Sequence, residues 1–228
     1  MKAMILAAGR GERMRPLSDR IPKPLLQAGG RPLVVALIES LARAGMVELV
    51  VNVSHLGSLI EQELGDGSRH RVRIAYSREQ EPLETGGGIA YALPLLGAEP
   101  FVVVNSDIHC DFDFARLSAA AAAIRSGAVS AHLVLVDNPL HHPAGDFCLS
   151  GGRVAADGAR RLTFAGIGVY APALFAEVPR GTKRQLAALL RPAMAQGRVS
   201  GEHHGGQWMD IGTPERLAAL DRLLAARA

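Results

Sequence analysis

A glycine-rich segment near the start of the chain combines the residue types that bind phosphate. Residues 6–16 read LAAGRGERMRP, so Arg13 follows closely on Gly9 and Gly11. Glycine lets backbone amides approach a phosphate, and arginine donates two parallel hydrogen bonds to its oxygens. The segment predicts a polyphosphate site at the end of the first apolar strand, with a plain strand-to-helix turn as the alternative.

A lysine between two prolines follows this segment. Proline fixes its own φ and holds the residue before it in an extended conformation, so Pro22 and Pro24 limit the backbone freedom of Lys23. Lys23 can therefore aim an ammonium group at an anion. A lysine in such a segment alone would be read as a surface residue, but the glycines and Arg13 favour the phosphate site.

The glycine-rich segment differs from two common nucleotide-binding motifs. Met14 occupies the position of the third glycine of a dinucleotide-binding fold, which disfavours a Rossmann dehydrogenase. No Gly-Lys-Ser/Thr follows at the spacing of a P-loop, which argues against that motif as well.

The composition favours a small anionic ligand over a nucleic acid. The net charge of the 228 residues is only +3 and aromatic residues make up 4% of them, so the basic stripe and stacking platforms of a nucleic-acid binder are missing. Cys110 and Cys148 are too few for a disulfide framework, and no apolar run is long enough to span a bilayer. We expect a cytoplasmic protein with no nucleic-acid or membrane partner, and leave its oligomeric state open.

The elements that must position these residues form one α/β domain, residues 1–228, because a chain that is 48% hydrophobic can bury one substantial core at this length. Up to residue 110, apolar strands alternate with amphipathic helices, as in the nucleotide-binding half of a doubly wound sheet. The predicted strands are 2–8, 49–53 and 101–104, and the predicted helices start near Pro32, Leu56 and Gly86.

Residues 111–228 follow a different pattern, with short strands between Gly, Pro and Asp residues. The predicted strands are 133–136, 147–149, 162–164 and 167–170, and the predicted helices contain 119–123, 186–194 and 214–224. We expect a mixed, mostly parallel central sheet with a small additional β region.

Further motifs, in chain order, make the sequence similar to a known family. They are residues 22–25 (PKPL), 81–88 (EPLETGGG), 104–107 (VNSD) and 208–213 (WMDIGT). Together with the glycine-rich segment they resemble the sugar-1-phosphate nucleotidyltransferases over essentially the whole chain. Residues 136–147 (VDNPLHHPAGDF) most resemble the members that act on N-acetylmuramate 1-phosphate in bacterial cell-wall recycling. The resemblance implies a Rossmann-like nucleotide-diphospho-sugar transferase fold in which residues 111–228 bind the sugar.

The resemblance implies a Mg²⁺-dependent reaction in which a sugar-1-phosphate oxygen attacks the α-phosphorus of UTP. Arg13 would stabilise the triphosphate, and Lys23 would bring the two phosphates together. Asp107 ends a predicted strand at the ligand crevice, and the resemblance makes Asp210 the second carboxylate on the same ion. Carboxylate, phosphate and water oxygens suit the octahedral preference of Mg²⁺.

The resemblance also indicates which residues contact the nucleotide. They lie in two segments, and are Ala8, Gly9, Gly11, Glu12, Glu79, Thr85 and Gly86. A carboxylate among Glu79 and Glu81 could accept the N3 proton of uracil or, equally, the N1 and N2 protons of guanine. The acid alone therefore does not choose the base.

Three residues are candidate sugar contacts. Asn105 lies on the same face of its strand as Asp107 by alternation, so its amide could bond a hydroxyl. Gly145 and Gly166 match family positions where the backbone approaches the sugar, although both could be turn glycines. The pairs His141-His142 and His203-His204 lack zinc-site spacing and are interpreted as surface-loop histidines.

Two departures from the family pattern leave the sugar less certain than the reaction. Ala165 replaces a serine or asparagine, and Gln185 stands where a lysine is expected, with Lys183 two residues earlier. The alternatives are a mannose-1-phosphate guanylyltransferase, a glucose-1-phosphate uridylyl- or thymidylyltransferase, and a catalytically silent nucleotide-sensing homologue. A silent homologue would be expected to have lost Arg13, Lys23 or an aspartate.

Overall fold

Strands from both halves of the chain join one sheet in the computed structural model, which describes residues 1–226. The strands are β1 Ala3–Leu6, β2 Gln27–Ala28, β3 Arg31–Pro32, β4 Glu48–Val53, β5 Arg73–Arg78, β6 Phe101–Asn105, β7 Ile108–Cys110, β8 Ala131–Val136, β9 Phe147–Ser150, β10 Arg153–Ala155, β11 Arg161–Tyr170, β12 Val199–His203 and β13 Trp208–Asp210. Within the described residues, the main sheet has nine strands in the order β5-β4-β1-β6-β11-β8-β12-β10-β9. The pairs β2–β3 and β7–β13 form two small sheets.

The helices lie between the strands. They are α1 Leu33–Arg43, α2 Gly57–Leu64, α3 Glu84–Leu96, α4 Leu117–Arg125, α5 Leu186–Ala195 and α6 Pro214–Ala225. Short 3₁₀ helices cover Glu12–Met14, Leu17–Asp19, Lys23–Leu25, Ser68–His70, Phe114–Arg116 and Pro172–Phe175. Over residues 1–226, none of the helices combines the length and the apolar character needed to cross a bilayer.

The prediction of a mixed, mostly parallel central sheet is confirmed in the described residues, where β10 and β11 run opposite to the other seven strands of the main sheet. Parallel pairing joins β5, β4, β1 and β6, and also β8 to β12. The strand β11 runs antiparallel to β6, β8 and β9, and β10 runs antiparallel to β9 and β12. Short connections between β9, β10 and β11 favour antiparallel neighbours, because a parallel pair needs a long crossover.

One long strand, β11, replaces the two predicted strands 162–164 and 167–170. Its register against β8 shifts between Phe164 and Ile167, so Ala165 and Gly166 form an irregularity within one continuous strand. Gly166 has a φ of 74°, a left-handed conformation that glycine adopts without steric cost. The glycine therefore bends the strand instead of ending it.

The edge strand β5 was not predicted from the sequence. It begins and ends at the exposed arginines Arg73 and Arg78, and among residues 1–226 it pairs with β4 alone. An edge strand has one neighbour and tolerates polar residues, so it lacks the apolar run that marks the interior strands.

Helices cover both faces of the sheet. Ile5 and Val51 pack into one apolar cluster with α1, α2 and α4, whereas Met4 and Val50 pack into another with α3 and α5. Successive strand residues thus serve opposite faces, as the pleat requires.

A third, smaller cluster joins the two ends of the chain. Met14 of the glycine-rich segment and Ile211 after β13 are fully buried, and they share this cluster with Leu220 of α6. The cluster fixes the residues around Arg13 and Asp210 relative to each other.

Candidate active site

The glycine-rich segment leaves β1 as a turn that is anchored on one side and open on the other. The carbonyl of Gly11 accepts hydrogen bonds from Met14 N at 2.8 Å and from Ser18 Oγ at 2.7 Å. Gly11 has a φ of 64°, which favours glycine. A methyl group built on Gly9 would meet no atom within 4 Å, so the turn leaves space beside its backbone.

Lys23 points toward an acid rather than toward solvent. It begins the 3₁₀ helix Lys23–Leu25 directly after the extended residue Pro22. Its ammonium group forms an ion pair with Asp107 Oδ2, and the two side chains are 12% and 26% exposed. The lysine between the prolines is therefore held close to the predicted metal ligand.

The two predicted metal ligands, Asp107 and Asp210, lie side by side although they are distant in sequence. Asp210 pairs with Ile108 in the β7–β13 ladder, and Ile211 N donates to the Asp107 carbonyl at 2.6 Å. The Asp210 carboxylate accepts a hydrogen bond from Arg216 Nη1 at 2.7 Å. A short antiparallel ladder thus brings both acids to one end of the sheet.

A first cleft, of about 880 Å³, lies between the glycine-rich segment and the start of α3. The predicted nucleotide residues that line it are Ala8, Gly9, Gly11, Glu12, Glu79 and Thr85. Its wall also contains Arg13, Lys23 and Asp107. The first cleft therefore brings the cations Arg13 and Lys23 and the acid Asp107 together with the open backbone at Gly9.

A second cleft, of about 320 Å³, lies on the other side of Asp107. Gly166, Trp208 and Asp210 line it. Arg13, Asn105 and Asp107 line both clefts, so the two clefts meet at these three side chains. Ligands in the two clefts would approach each other at this junction.

Glu79 lies at the first cleft, but both of its carboxylate oxygens are occupied. Asn52 Nδ2 donates to Oε1 at 2.6 Å, and Leu83 N donates to Oε2 at 2.9 Å. Burial raises the pKa of Glu79, although the hydrogen bonds from Asn52 and Leu83 act to lower it. The carboxylate of Glu79 therefore ties the start of α3 to β4.

Thr85 and Gly86 have different surroundings. Thr85 lines the first cleft. Gly86 is buried, and a methyl group built on it would lie 2.8 Å from the carbonyl oxygen of Arg184. The missing side chain at Gly86 thus makes room for residues 182–185 of the same chain.

The three predicted sugar contacts do not all lie at the second cleft. Gly166 lines the second cleft, and a methyl group built on it would lie 2.7 Å from Asn105 Nδ2. A methyl group on Gly145 would lie 2.7 Å from Asn138 Oδ1 and 3.0 Å from Arg161 backbone, so Gly145 fits the alternative of a turn glycine. Asn105 and Gly166 are thus together, whereas Gly145 packs against protein.

Comparison with known proteins shows the family to which this chain belongs. The family model of the nucleotidyl transferases matches residues 2–143. The chain belongs to the nucleotidyl transferase family. It is 50% identical over 230 residues to the N-acetylmuramate alpha-1-phosphate uridylyltransferase of Neisseria meningitidis serogroup B, with 99% of each chain covered.

A second relative agrees with this family membership, and a solved structure agrees with the fold. The protein of the same name from Caulobacter vibrioides is 36% identical over 242 residues, which cover 98% of this chain and 97% of the relative. A solved UDP-glucose pyrophosphorylase, complexed with UDP-glucose, superposes with a TM-score of 0.78 at 19% identity, covering 100% of this chain and 99% of the other. At that identity the likeness concerns the fold, and it supports the predicted transferase fold.

The structure of this nucleotidyl transferase also brings in side chains that the sequence analysis did not place. Lys183 lies at the first cleft, where its Nζ is 3.4 Å from Glu81 Oε2. Asn52 links the two glycine-rich segments, because its Oδ1 accepts a bond from Ala7 N at 2.7 Å while its Nδ2 donates to Glu79. The sequence showed that Lys183 stands two residues before the position where a lysine is expected, but it did not show that Lys183 lines the first cleft.

Arg216 and His141 were also missed. Arg216 Nη1 lies 2.5 Å from His141 Nε2, and both side chains contact Asp210. The interpretation of His141 as a loop histidine, made from spacing alone, gave no sign of this contact with a site residue.

Proposed function

We propose that this protein transfers UMP from UTP to N-acetylmuramate α-1-phosphate. An oxygen of the sugar phosphate forms a bond to the α-phosphorus of UTP while the bond from that phosphorus to the bridging β-phosphate oxygen breaks. The products are UDP-N-acetylmuramate and pyrophosphate. The 50% identity to the Neisseria protein supports this pair of substrates. We assign the protein to the cytoplasm, which suits its free thiols at Cys110 and Cys148.

The observation that carries the proposal is the junction of the two clefts. Arg13, Asn105 and Asp107 line both, so a nucleotide in the first cleft and a sugar phosphate in the second would bring their phosphates to the same three side chains. A phosphate monoester is already ionised at neutral pH, so alignment and charge neutralisation supply most of the catalysis. Arg13 and Lys23 provide positive charge at this place.

The donor set at the junction fits Mg²⁺. Asp107 directly precedes β7 and Asp210 pairs with Ile108 in the β7–β13 ladder, and each carboxylate contacts a cation of the protein, Lys23 and Arg216 respectively. Two carboxylates that line the same cleft match the oxygen ligands that Mg²⁺ prefers, with phosphate and water oxygens completing the shell. A bound Mg²⁺ would neutralise charge on the phosphates. Asp107 and Asp210 are the residues that would hold it.

We assign recognition of the base to Glu81 rather than Glu79. Glu81 lines the first cleft with a largely exposed carboxylate, whereas both oxygens of Glu79 accept hydrogen bonds from the protein. Glu81 can therefore accept the N3 proton of uracil. Thr85 lines the same wall and offers a hydroxyl group.

A substrate matrix tests the proposed function. Pyrophosphate release is measured for UTP, dTTP and GTP, each with the 1-phosphates of N-acetylmuramate, N-acetylglucosamine, glucose and mannose. We expect the highest kcat/KM for UTP with N-acetylmuramate α-1-phosphate. A higher value for mannose 1-phosphate with GTP, or for glucose 1-phosphate with UTP or dTTP, would replace the substrate assignment. No turnover of any pair would favour the silent homologue.

The matched variant for the site is Asp107→Asn, with Asp113→Asn as its control. Asp113 is an aspartate outside both clefts whose carboxylate accepts a bond from Ala115 N at 3.0 Å. We expect Asp107→Asn to abolish turnover while the protein remains folded, and Asp113→Asn to retain it. Near-normal turnover of Asp107→Asn with Mg²⁺ would remove Asp107 from the metal site.

A further inference from the structure

Arg216 and His141 both contact the same oxygen of the Asp210 carboxylate, Oδ1. Arg216 Nη1 donates to Oδ1 at 2.7 Å, and His141 Nε2 lies 2.8 Å from Oδ1. The other oxygen, Oδ2, lies beside Gly212, 3.1 Å from the position of a methyl group built there. Gly212 lines the first cleft, so the two oxygens of Asp210 have different surroundings.

The start of α6 fixes Arg216 in this place. Thr213 caps the helix, with its Oγ1 accepting a bond from Arg216 N at 3.4 Å, and Pro214 takes the first helical position. Arg216 therefore lies in the first turn of α6, and the short segment 211–213 joins that turn to Asp210 at the end of β13. Its side chain is 18% exposed and that of Asp210 is 21% exposed, so solvent screens this pair less than the exposed pairs of the surface.

The Arg13 guanidinium lies beside Gly212, as Oδ2 of Asp210 does. A methyl group built on Gly212 would lie 3.2 Å from Arg13 Nη2 and would clash with Arg216 Nη2. Gly212 thus occupies a narrow gap between two guanidinium groups, one lining both clefts and one bound to Asp210. Arg216 itself holds the carboxylate from the side of α6 and His141.

We propose that Arg216, supported by His141, is a positioning residue that binds Oδ1 of Asp210 and thereby presents Oδ2 to the divalent cation. This inference rests on the proposed metal site, but not on the identity of the sugar or the base. The partners of metal-binding carboxylates orient the ligand, and their loss typically costs about 10- to 100-fold in metal affinity or activity.

A simple counter-ion role for Arg216 predicts the opposite result. If Arg216 only occupied Asp210 until a metal replaced it, removing the guanidinium would take away a competing positive charge and would strengthen metal binding. The sign of the change in affinity therefore separates positioning from competition.

The experiment measures Mn²⁺ alone, by the paramagnetic resonance signal of the free ion, with wild type, Arg216→Gln, Arg216→Lys and Arg222→Gln. Arg222 is on the same helix and exposed, so its variant loses the same charge without touching Asp210. We expect Arg216→Gln to weaken Mn²⁺ binding about tenfold or more. Arg216→Lys should fall between it and wild type because it keeps the charge but loses the planar fork. Arg222→Gln should bind as wild type does.

A second measurement separates positioning from general damage. The Mg²⁺ concentration for half-maximal turnover should rise in Arg216→Gln, with much of the rate recovered at high Mg²⁺ and the KM for the sugar phosphate unchanged. If Arg216→Gln does not fold, His141→Gln replaces it, and a smaller loss of Mn²⁺ affinity supports the proposal.

Three results would overturn the inference. They are unchanged or tighter Mn²⁺ binding in Arg216→Gln (or in His141→Gln where it is used), an equal loss in Arg222→Gln, and no binding of Mn²⁺ by wild type. The last would also remove the metal site, while the substrate assignment would still be decided by the matrix of nucleotides and sugar phosphates.

Discussion

The two glycine-rich segments of this chain use their missing side chains in opposite ways. Beside Gly9 the space is open and belongs to the first cleft. Beside Gly86, Gly87 and Gly88 the space is filled by the protein itself. A methyl group on Gly87 would clash with the Thr182 carbonyl, and one on Gly88 would lie 2.7 Å from Glu79 Oε1. A run of glycines thus indicates close approach, but not whether the approaching group is a ligand or another part of the chain.

The glycines at 86–88 form the closed segment, and they also position a residue beside the open segment, the glycine-rich turn at 6–16. Gly87 N donates to the Arg184 carbonyl at 3.0 Å, and Arg184 N donates to the Leu83 carbonyl at 3.1 Å. These bonds fix residues 182–185 against the start of α3 and hold Lys183 at the first cleft. One glycine segment therefore leaves room in the first cleft, and the other positions a cation beside that room.

The largest effect that would test this comparison is expected for Gly87→Ala. The added methyl group would meet the backbone of Thr182, which cannot turn away as a side chain can. We expect a loss of about 3 kcal/mol in the free energy of unfolding, because overpacking against backbone forces the segment to move. Denaturant unfolding measures it, with Gly205→Ala as the control, since a methyl group there has its nearest neighbour at 3.7 Å. Equal stability of the two variants would contradict a closed segment.

The next effect concerns Glu79, whose carboxylate packs against Gly88. In Glu79→Gln one oxygen becomes an NH₂ group, so either Asn52 or Leu83 loses its acceptor. We expect a loss of about 2 kcal/mol in the free energy of unfolding, as for a buried donor left without a partner. Unchanged stability would argue that the carboxylate is free to serve the nucleotide, as first expected for Glu79.

The difference in unfolding free energy between wild type and Glu79→Gln should depend on pH, and the pKa shift of Glu79 fixes its direction. Burial raises the pKa of Glu79 above its ordinary value of 4.5, so the folded protein holds this proton to a higher pH than the unfolded chain. The stabilising contribution of the titration is complete below the ordinary value and declines as the pH rises through the folded pKa. The stability advantage of wild type over Glu79→Gln should therefore shrink as the pH rises from the ordinary value through the folded pKa. An advantage that grew over this interval would mean a lowered pKa.

A smaller effect is expected in the open segment, for Gly9→Ala. The methyl group meets no protein atom within 4 Å, so the free energy of unfolding should stay the same or rise slightly. It would occupy space that a phosphate needs, and we expect the KM for UTP to rise about tenfold, equivalent to about 1.4 kcal/mol. Gly205→Ala again serves as the control, with no change in KM. If Gly9→Ala bound UTP normally, the open space would not be the phosphate site.

Local sequence predicted the parts of the fold and site that depend on neighbouring residues. The turn after β1, the lysine between prolines and the start of α6 at Thr213-Pro214 all follow from the residues that form them. The sequence could not show that Gly166 bends a continuous strand or that Gly86 faces Arg184, because each depends on which distant segment packs there. Arg216 was missed because its partners are Asp210 at the end of β13 and the distant loop residue His141.

The smallest effect concerns Glu84, the residue between the closed segment and the first cleft. Its φ is 60°, a left-handed conformation that costs a residue other than glycine about 1 kcal/mol, and it lines the first cleft. Glycine relieves that strain but gains freedom in the unfolded chain, so Glu84→Gly should raise the free energy of unfolding by about 0.5 kcal/mol. Arg71, with a φ of 58° and outside both clefts, offers the matched variant Arg71→Gly. If both variants gain stability and only Glu84→Gly loses affinity for UTP, the strain at Glu84 is retained to hold a carboxylate in the cleft. If both keep full affinity, the strained residue belongs with the closed glycine segment and serves only the turn into α3.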